Sequence, residues 1–175
     1  MGRKIAVIYK SKYGSTKKYA GWIALRVEAD LYEVSDFRPK DFKKYDVIIY
    51  GGGIYVGDIN GIKIISKNYE KINEKEIIIF TVGMESIKEK SKDILNKYFD
   101  EEECKNIKTF NFRGGFDYSN LNIKDKILVK GLKQCISKKS PRELTKDDKI
   151  VLEGFEREVD LCDKNSIDLL IKAIG

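Results

Sequence analysis

The chain has 175 residues, 42% of them hydrophobic and 35% charged, so it can bury one core and is too apolar to be disordered. It contains no histidine, which excludes Ser-His and Cys-His nucleophile pairs and most zinc sites, and no metal site is expected. The net charge of +6 is interpreted as spread along the chain, without the basic arm typical of nucleic-acid binding.

The compartment is predicted from the cysteines and the amino terminus. Cys104, Cys135 and Cys162 form no CxxC pair, which favours free thiols in a reducing cytosol. The chain enters an apolar run at once, with no signal-peptide pattern and no run of membrane-spanning length. We therefore expect a cytoplasmic protein.

Apolar runs alternate with stretches of helical spacing along the first two thirds of the chain. Strands are predicted at Lys4–Tyr9, Asp30–Val34, Asp46–Gly53, Glu76–Gly83 and Ile107–Phe112. Helices are predicted at Thr16–Val27, Gly61–Ile72 and Ser86–Phe99. This alternation predicts an α/β fold: a doubly wound, five-stranded parallel sheet with helices on both faces, in a single domain over residues 1–175. Ligands bind such sheets outside the carboxyl ends of the strands, so the loops after Tyr9, Tyr50 and Val82 form the candidate site.

An extension at about 113–148 is longer than this fold requires. Within it, Leu121–Ser137 has helical spacing and many lysines, and a last helix is predicted at Ser166–Ala173. The lysine-rich helix could rest on an anionic membrane surface and receive a quinone. Alternatively, its apolar stripe packs on the sheet as an ordinary helix while its lysines are solvated, and this second interpretation is favoured.

The loop Ser11–Thr16, "SKYGST", joins the first strand to the first helix. It lacks the Gly-Lys-Ser/Thr of a Walker A loop, and the chain has no GxGxxG of correct spacing. Three hydroxyl residues and the backbone N–H groups of a helix start predict a phosphate cradle. The alternative is that Ser11 or Ser15 only caps the helix.

The second loop supplies apolar and aromatic surface for a planar ring through Ile54, Tyr55 and Val56, with glycines that keep the backbone close. Tyr55 is the stacking candidate. The alternative for a loop tyrosine is an ordinary surface position or a lid on the core.

These loops resemble those of the flavodoxin family. Ser11–Thr16 fits the family's first loop, approximately [ST]-x-[TY]-G-x-T, while "YGGGIYVGDING" and "FTVGMES" are similar to its second and third flavin loops. The resemblance implies strand order 2-1-3-4-5 and bound FMN, with the phosphate in the first loop and the ring between the other two. The residues expected to bind the cofactor are Ser11, Lys12, Tyr13, Gly14, Ser15, Thr16, Gly53, Ile54, Tyr55, Val56, Gly57, Val82, Gly83, Met84, Glu85, Gly115 and Phe116.

Two details follow from that resemblance. Gly57-Asp58 resembles the pair whose peptide turns its carbonyl toward the N5–H of reduced flavin. Met84 and Glu85 replace the aromatic residue of many flavodoxins, so one flavin face is either open or covered by something else.

The functional prediction depends on charge and on the extension. Flavodoxins that act as carriers are typically acidic, whereas this chain has a pI near 9.0. The segment "GGFDYSNLNIKDKILVKGLKQ" resembles the flavodoxin-like menaquinone-dependent protoporphyrinogen dehydrogenases. This implies an FMN-dependent oxidoreductase acting on a quinone or a porphyrinogen, with an electron carrier between protein partners as the alternative and a flavin-free regulatory module as a third. No side chain is assigned as an acid or a base, and the extension is expected to be dispensable for FMN binding because the three flavin loops lie outside it.

Overall fold

The structure, a computed structural model, describes residues 2–55, 57–84 and 93–175. Its sheet contains six strands: β1 (Ile5–Lys10), β2 (Asp30–Glu33), β3 (Val47–Tyr55), β4 (Asp58–Ile59), β5 (Glu76–Gly83) and β6 (Ile107–Arg113). Five of them are parallel in the order β2-β1-β3-β5-β6, which confirms the predicted arrangement. The short β4 was not predicted; it pairs antiparallel with the end of β3.

The parallel register brings the carboxyl ends of the central strands to one edge of the sheet. Lys10 at the end of β1 is level with Gly52 on β3, and Gly53 is level with Val82 on β5. The loops that follow these strands therefore lie next to one another.

Helices cover both faces of the sheet, as predicted. On one face, α1 (Ser15–Arg26) and a carboxyl-terminal helix pack on the strands through Tyr19, Ile23 and Leu170. On the other face the core includes Phe42, Ile65, Tyr69, Ile72 and Phe99. That carboxyl-terminal helix is α6 (Asp168–Ala173), and the chain also forms α2 (Lys63–Ser66), α3 (Glu101–Asn106), α4 (Ile123–Ser137) and α5 (Lys146–Glu153).

The predicted helix over Gly61–Ile72 is wrong as a continuous element. The chain instead forms the single turn α2 and a 3-10 turn at Tyr69–Lys71, separated by Asn68 with non-helical φ −117° and ψ 7°. The Asn68 side-chain amide donates to the Ile64 carbonyl at 2.9 Å. This side chain therefore competes with backbone N–H groups for a carbonyl that a continuous helix would use. Of the predicted helix Ser86–Phe99, only residues 93–99 are described, and 93–95 are helical.

The favoured interpretation of the lysine-rich helix is also wrong, because only Ile136 of α4 is buried. The apolar stripe does not pack on the sheet, whose two faces are already covered by the helices and loops of the two cores. The amino-terminal part of α4 is instead bonded to the loop after β1. Within the described ranges, no helix is both long and apolar enough to cross a membrane.

Candidate functional site

A cavity of about 410 Å³ lies at the carboxyl ends of β1, β3 and β5, a size typical of small-molecule and cofactor sites. The predicted site residues that line it are Tyr13, Ser15, Thr16, Gly53, Ile54, Tyr55, Val82, Gly83, Met84, Gly115 and Phe116. The structure thus brings all three strand-end loops and the start of the extension together. Ser11, Lys12, Gly14 and Gly57 are not among the lining residues, and Val56 and Glu85 lie outside the described residues.

The amino terminus of α1 opens at this cavity without a capping side chain. Its N-cap residue is Gly14, with φ 98°, a conformation that glycine adopts without strain. The Ser11 hydroxyl accepts a bond from the Gly14 N–H (3.1 Å), and the Ser15 hydroxyl accepts one from the Gly115 N–H (2.9 Å). Neither serine caps the first helical turn, so its N–H groups and the positive end of the helix dipole are left for a ligand.

Thr16 is the most buried polar residue of this loop. Its side chain is only 2% exposed, yet Thr16 belongs to the cavity lining at the first turn of α1. A hydroxyl in that position, next to first-turn N–H groups, is suited to an anionic oxygen acceptor.

The extension is bonded directly to the loop after β1. The Tyr13 hydroxyl donates to the Asp125 carboxylate and accepts a bond from the Asn122 N–H at 3.3 Å. Lys12 Nζ lies 2.5 Å from Asp125 Oδ2. Lys12 and then Tyr13 hold the pKa of Asp125 below its usual value, and the bond to Asp125 raises the pKa of Lys12. We call Lys12, Tyr13, Asn122 and Asp125 the loop–extension cluster.

Tyr55, the predicted stacking residue, is held in place by its neighbours. Its ring meets the Tyr13 ring edge-on, with centroids 6.1 Å apart, and Lys12 Nζ lies 5.3 Å from its centroid. A Cβ added at Gly53 would approach the Tyr55 ring to 2.7 Å, so only glycine leaves room for this ring. Burial, with smaller effects from Tyr13 and Asp125, raises the pKa of Tyr55 to about 12 and keeps its hydroxyl neutral at pH 7.

The Flavodoxin domain family matches residues 6–143 of the sequence. The chain belongs to this family. It is 36% identical over 89 residues to an uncharacterised protein of Methanocaldococcus jannaschii, a match that covers 49% of this chain and 58% of the relative. The chain therefore spans little more than half the length of that relative.

Solved structures of flavoproteins are also similar to this flavodoxin domain. One is a flavoprotein in complex with FMN from Lactobacillus acidophilus, with 16% identity, a TM-score of 0.45, and coverage of 64% of this chain and 93% of that chain. Another is oxidised Flavodoxin 2 from Bacillus cereus, with 18% identity, a TM-score of 0.49, and coverage of 63% and 84%.

In this flavodoxin domain, the Gly57-Asp58 pair is bonded to the residues that precede α3. Gly57 has φ 71°, and its carbonyl accepts a bond from Lys97 Nζ at 2.9 Å. The Tyr98 hydroxyl donates to Asp58 Oδ1 at 2.6 Å. The carbonyl that the resemblance assigns to reduced flavin is therefore bonded to a lysine ammonium in this structure.

Sequence reasoning missed the part of the cavity built by the extension and the carboxyl-terminal segment. The missed lining residues are Lys18, Gly114, Asp117, Asn120, Leu121, Asp125, Leu128, Val129, Glu158 and Asp160. Lys18 could have been found from helical spacing, because it lies one turn after Gly14. The other missed residues belong to no recognisable sequence motif. Because most of them come from the extension, the extension is part of the cavity wall rather than separate from the flavin loops.

Glu158 and Asp160 lie beyond the matched region and reach the cavity through one pairing. Phe116 forms an antiparallel bridge with Val159, with N–H to carbonyl distances of 2.7 and 2.9 Å. Lys18 Nζ lies 2.5 Å from Asp160 Oδ2 and, as the largest cause, lowers the pKa of Asp160 to about 2. Among the described residues, the lining thus contains four carboxylates and one lysine.

Proposed function

We propose that the chain binds FMN and acts as an oxidoreductase on a quinone-type acceptor. One observation carries the FMN part of the proposal: the uncapped amino terminus of α1 opens into the cavity that the loops after β3 and β5 also line. Free first-turn N–H groups and the helix dipole suit a phosphate. Tyr55 and Ile54 provide flat and apolar surface for a ring system in the same cavity.

The residues present fit this cofactor. Ser15, Thr16 and the first-turn N–H groups would hold the phosphate, and Tyr55 and Met84 would lie against the ring. Bound FMN would supply the electron-transfer chemistry itself. The protein would bind the cofactor, orient it and limit the access of water, with no side chain required as an acid or a base.

The extension supports an enzyme rather than a carrier. Phe116, Leu121, Leu128 and Val129 contribute apolar side chains of the extension to the cavity wall. Such a wall suits a neutral planar substrate, and a quinone is neutral. A porphyrinogen, the other substrate class implied by the resemblance, carries carboxylates that would meet the like charges of Asp117 and Glu158 in the lining.

The test is stopped-flow reoxidation of the FMN-loaded, reduced protein by a water-soluble menaquinone analogue, by a protein acceptor and by oxygen, alongside turnover of protoporphyrinogen. Val129→Trp would fill part of the cavity and hinder entry of the quinone, so the quinone rate should fall about tenfold, which corresponds to about 1.4 kcal/mol. The matched control is Ile123→Trp, which adds the same ring on the same helix at a side chain that is 79% exposed.

The control variant should keep the wild-type quinone rate. Equal quinone rates for the two variants would contradict the proposal that the apolar wall contacts the quinone. Faster transfer to the protein acceptor than to quinone, with a strong dependence on salt and no effect of Val129→Trp, would instead favour the carrier.

A further inference from the structure

Helix α4 carries a concentration of exposed apolar side chains. Four of the seven large apolar residues that are exposed in the described part of the chain lie on this helix: Ile123 (79%), Ile127 (69%), Leu128 (49%) and Leu132 (46%). The other three, Leu25, Leu31 and Leu169, are scattered over other elements. Scattered apolar residues are ordinary, whereas a patch on one element marks an interaction surface.

The same segment carries most of the net positive charge, which is therefore less evenly spread than the composition indicates. Residues 121–140 contain six lysines and one aspartate, so they contribute +5 of the net +6. Lys126 and Lys133 lie over the rings of Tyr118 (5.6 Å) and Phe155 (4.4 Å) and are engaged with the protein. Lys124 and Lys130 are exposed.

Ile123 and Ile127 share one side of the helix with exposed lysines, whereas Leu132 lies half a turn away from Ile123. The 3.6-residue repeat places Ile123, Ile127 and Lys130 in one row, with Lys124 beside them. The opposite side of α4 faces the protein, because Asp125 and Val129 line the cavity and Ile136 is buried. The protein itself thus fixes which side of α4 points outward.

We propose that α4 binds the surface of an anionic lipid membrane, with Ile123 and Ile127 inserted at the boundary between headgroups and acyl chains and the lysines against lipid phosphates. The binding of a helix to a membrane surface strengthens with the apolar area that it buries and with its attraction to anionic lipids, and both features are present on this one side. A nucleic acid or an acidic protein surface would bind the lysines but, being polar, would gain little from contact with Ile123 and Ile127.

Membrane binding in this orientation would bring the cavity close to the lipid. Leu128 is 49% exposed and also lines the cavity, so it connects the outward side of α4 with the cavity wall. A lipid-soluble acceptor would then have a short path from the bilayer to the site. This consequence rests on the proposed function, whereas the membrane binding itself does not.

The experiment is co-sedimentation of the full chain with vesicles of phosphatidylcholine alone and of phosphatidylcholine mixed with phosphatidylglycerol. The wild-type protein should bind the mixed vesicles and remain in the supernatant with phosphatidylcholine alone. Its binding to the mixed vesicles should weaken as salt is added. Ile123→Ser/Ile127→Ser should lower the partition coefficient by about tenfold or more. Lys124→Glu/Lys130→Glu should lower it by at least about thirtyfold, because loss of the two lysines alone removes about 2 kcal/mol and the new carboxylates repel anionic lipid.

The matched controls change the same number of exposed residues elsewhere. Leu25→Ser/Leu169→Ser removes two leucines that are 77% and 70% exposed on other helices, and Lys40→Glu/Lys43→Glu reverses two exposed lysines in the 3-10 segment after β2. Both controls should bind like wild type, and circular dichroism of every variant should show an intact fold. Absence of wild-type binding, equal losses in the controls, or full binding by Ile123→Ser/Ile127→Ser would each overturn the proposal; the last result would leave only a cationic surface for a protein or a nucleic acid.

Discussion

The loop–extension cluster makes Tyr13 a test of whether the extension is part of the site. Tyr13→Phe keeps the ring, and with it the edge-on contact to Tyr55, but removes the hydroxyl that donates to Asp125 and accepts from the Asn122 N–H. A hydrogen bond to a charged group contributes about 1.5–3 kcal/mol and a neutral one about 0.5–1.5 kcal/mol. Because Asp125 keeps its ion pair with Lys12, we expect the lower end of the combined range, about 2 kcal/mol of unfolding free energy.

That loss corresponds to a fall in melting temperature of about 4–8 °C for a domain of this size. The control is Tyr98→Phe, whose hydroxyl also donates to a carboxylate, Asp58, but outside the extension. Thermal unfolding should show a smaller loss for the control. Hydrogen exchange of the α4 amides should become faster only in Tyr13→Phe, and unchanged exchange in α4, or equal melting temperatures for the two variants, would refute the reasoning.

Three further predictions concern the loops and the carboxyl-terminal segment. Thr16→Val removes a hydroxyl suited to phosphate, so calorimetry should show FMN affinity about tenfold lower and riboflavin affinity unchanged; equal losses would contradict a phosphate contact. Gly57→Val places a branched residue at φ 71°, which costs about 1–3 kcal/mol of backbone strain. In anaerobic titration this variant should give a lower yield of one-electron-reduced flavin while oxidised FMN stays bound. An unchanged yield would contradict a contact between the Gly57 peptide and the flavin. Asp160, with a pKa of about 2 beside Lys18 against an ordinary value near 4, should stabilise the fold above pH 4 and lose that contribution as the pH falls toward 2. In acid unfolding curves, Asp160→Asn should therefore be less stable than wild type at neutral pH and equally stable near pH 2, and a constant difference would contradict the pairing.

The elements that the sequence predicted well are those in which one physical pattern dominates. β1, β3 and β5 are apolar runs buried on both faces, a pattern with few alternatives in a chain of this size. α1 begins and ends within one residue of its prediction, because its amphipathic spacing directly follows a glycine-containing loop. The strand-end loops could then be placed together, since parallel strands end at a common edge.

The failures arise where an element depends on contacts that are distant in sequence. α4 has an amphipathic pattern that also fits packing on a sheet, but the bonds of Tyr13 and Lys12 to Asp125, more than a hundred residues away, hold it at the strand ends. Asp160 reaches the cavity only through the pairing of Phe116 with Val159. No local pattern contains such contacts, so the strand-end loops of the cavity were predictable and most of the lining residues from the extension and the carboxyl-terminal segment were not.

The central claim is that the amino terminus of α1 holds the phosphate of FMN. The most direct measurement is calorimetric titration of the wild-type protein with FMN and with riboflavin, which differ only in that phosphate. Several charge-assisted bonds to first-turn N–H groups and Thr16 predict that FMN binds at least about a hundredfold more tightly than riboflavin. Equal affinities for the two flavins, or no binding of FMN, would contradict the account.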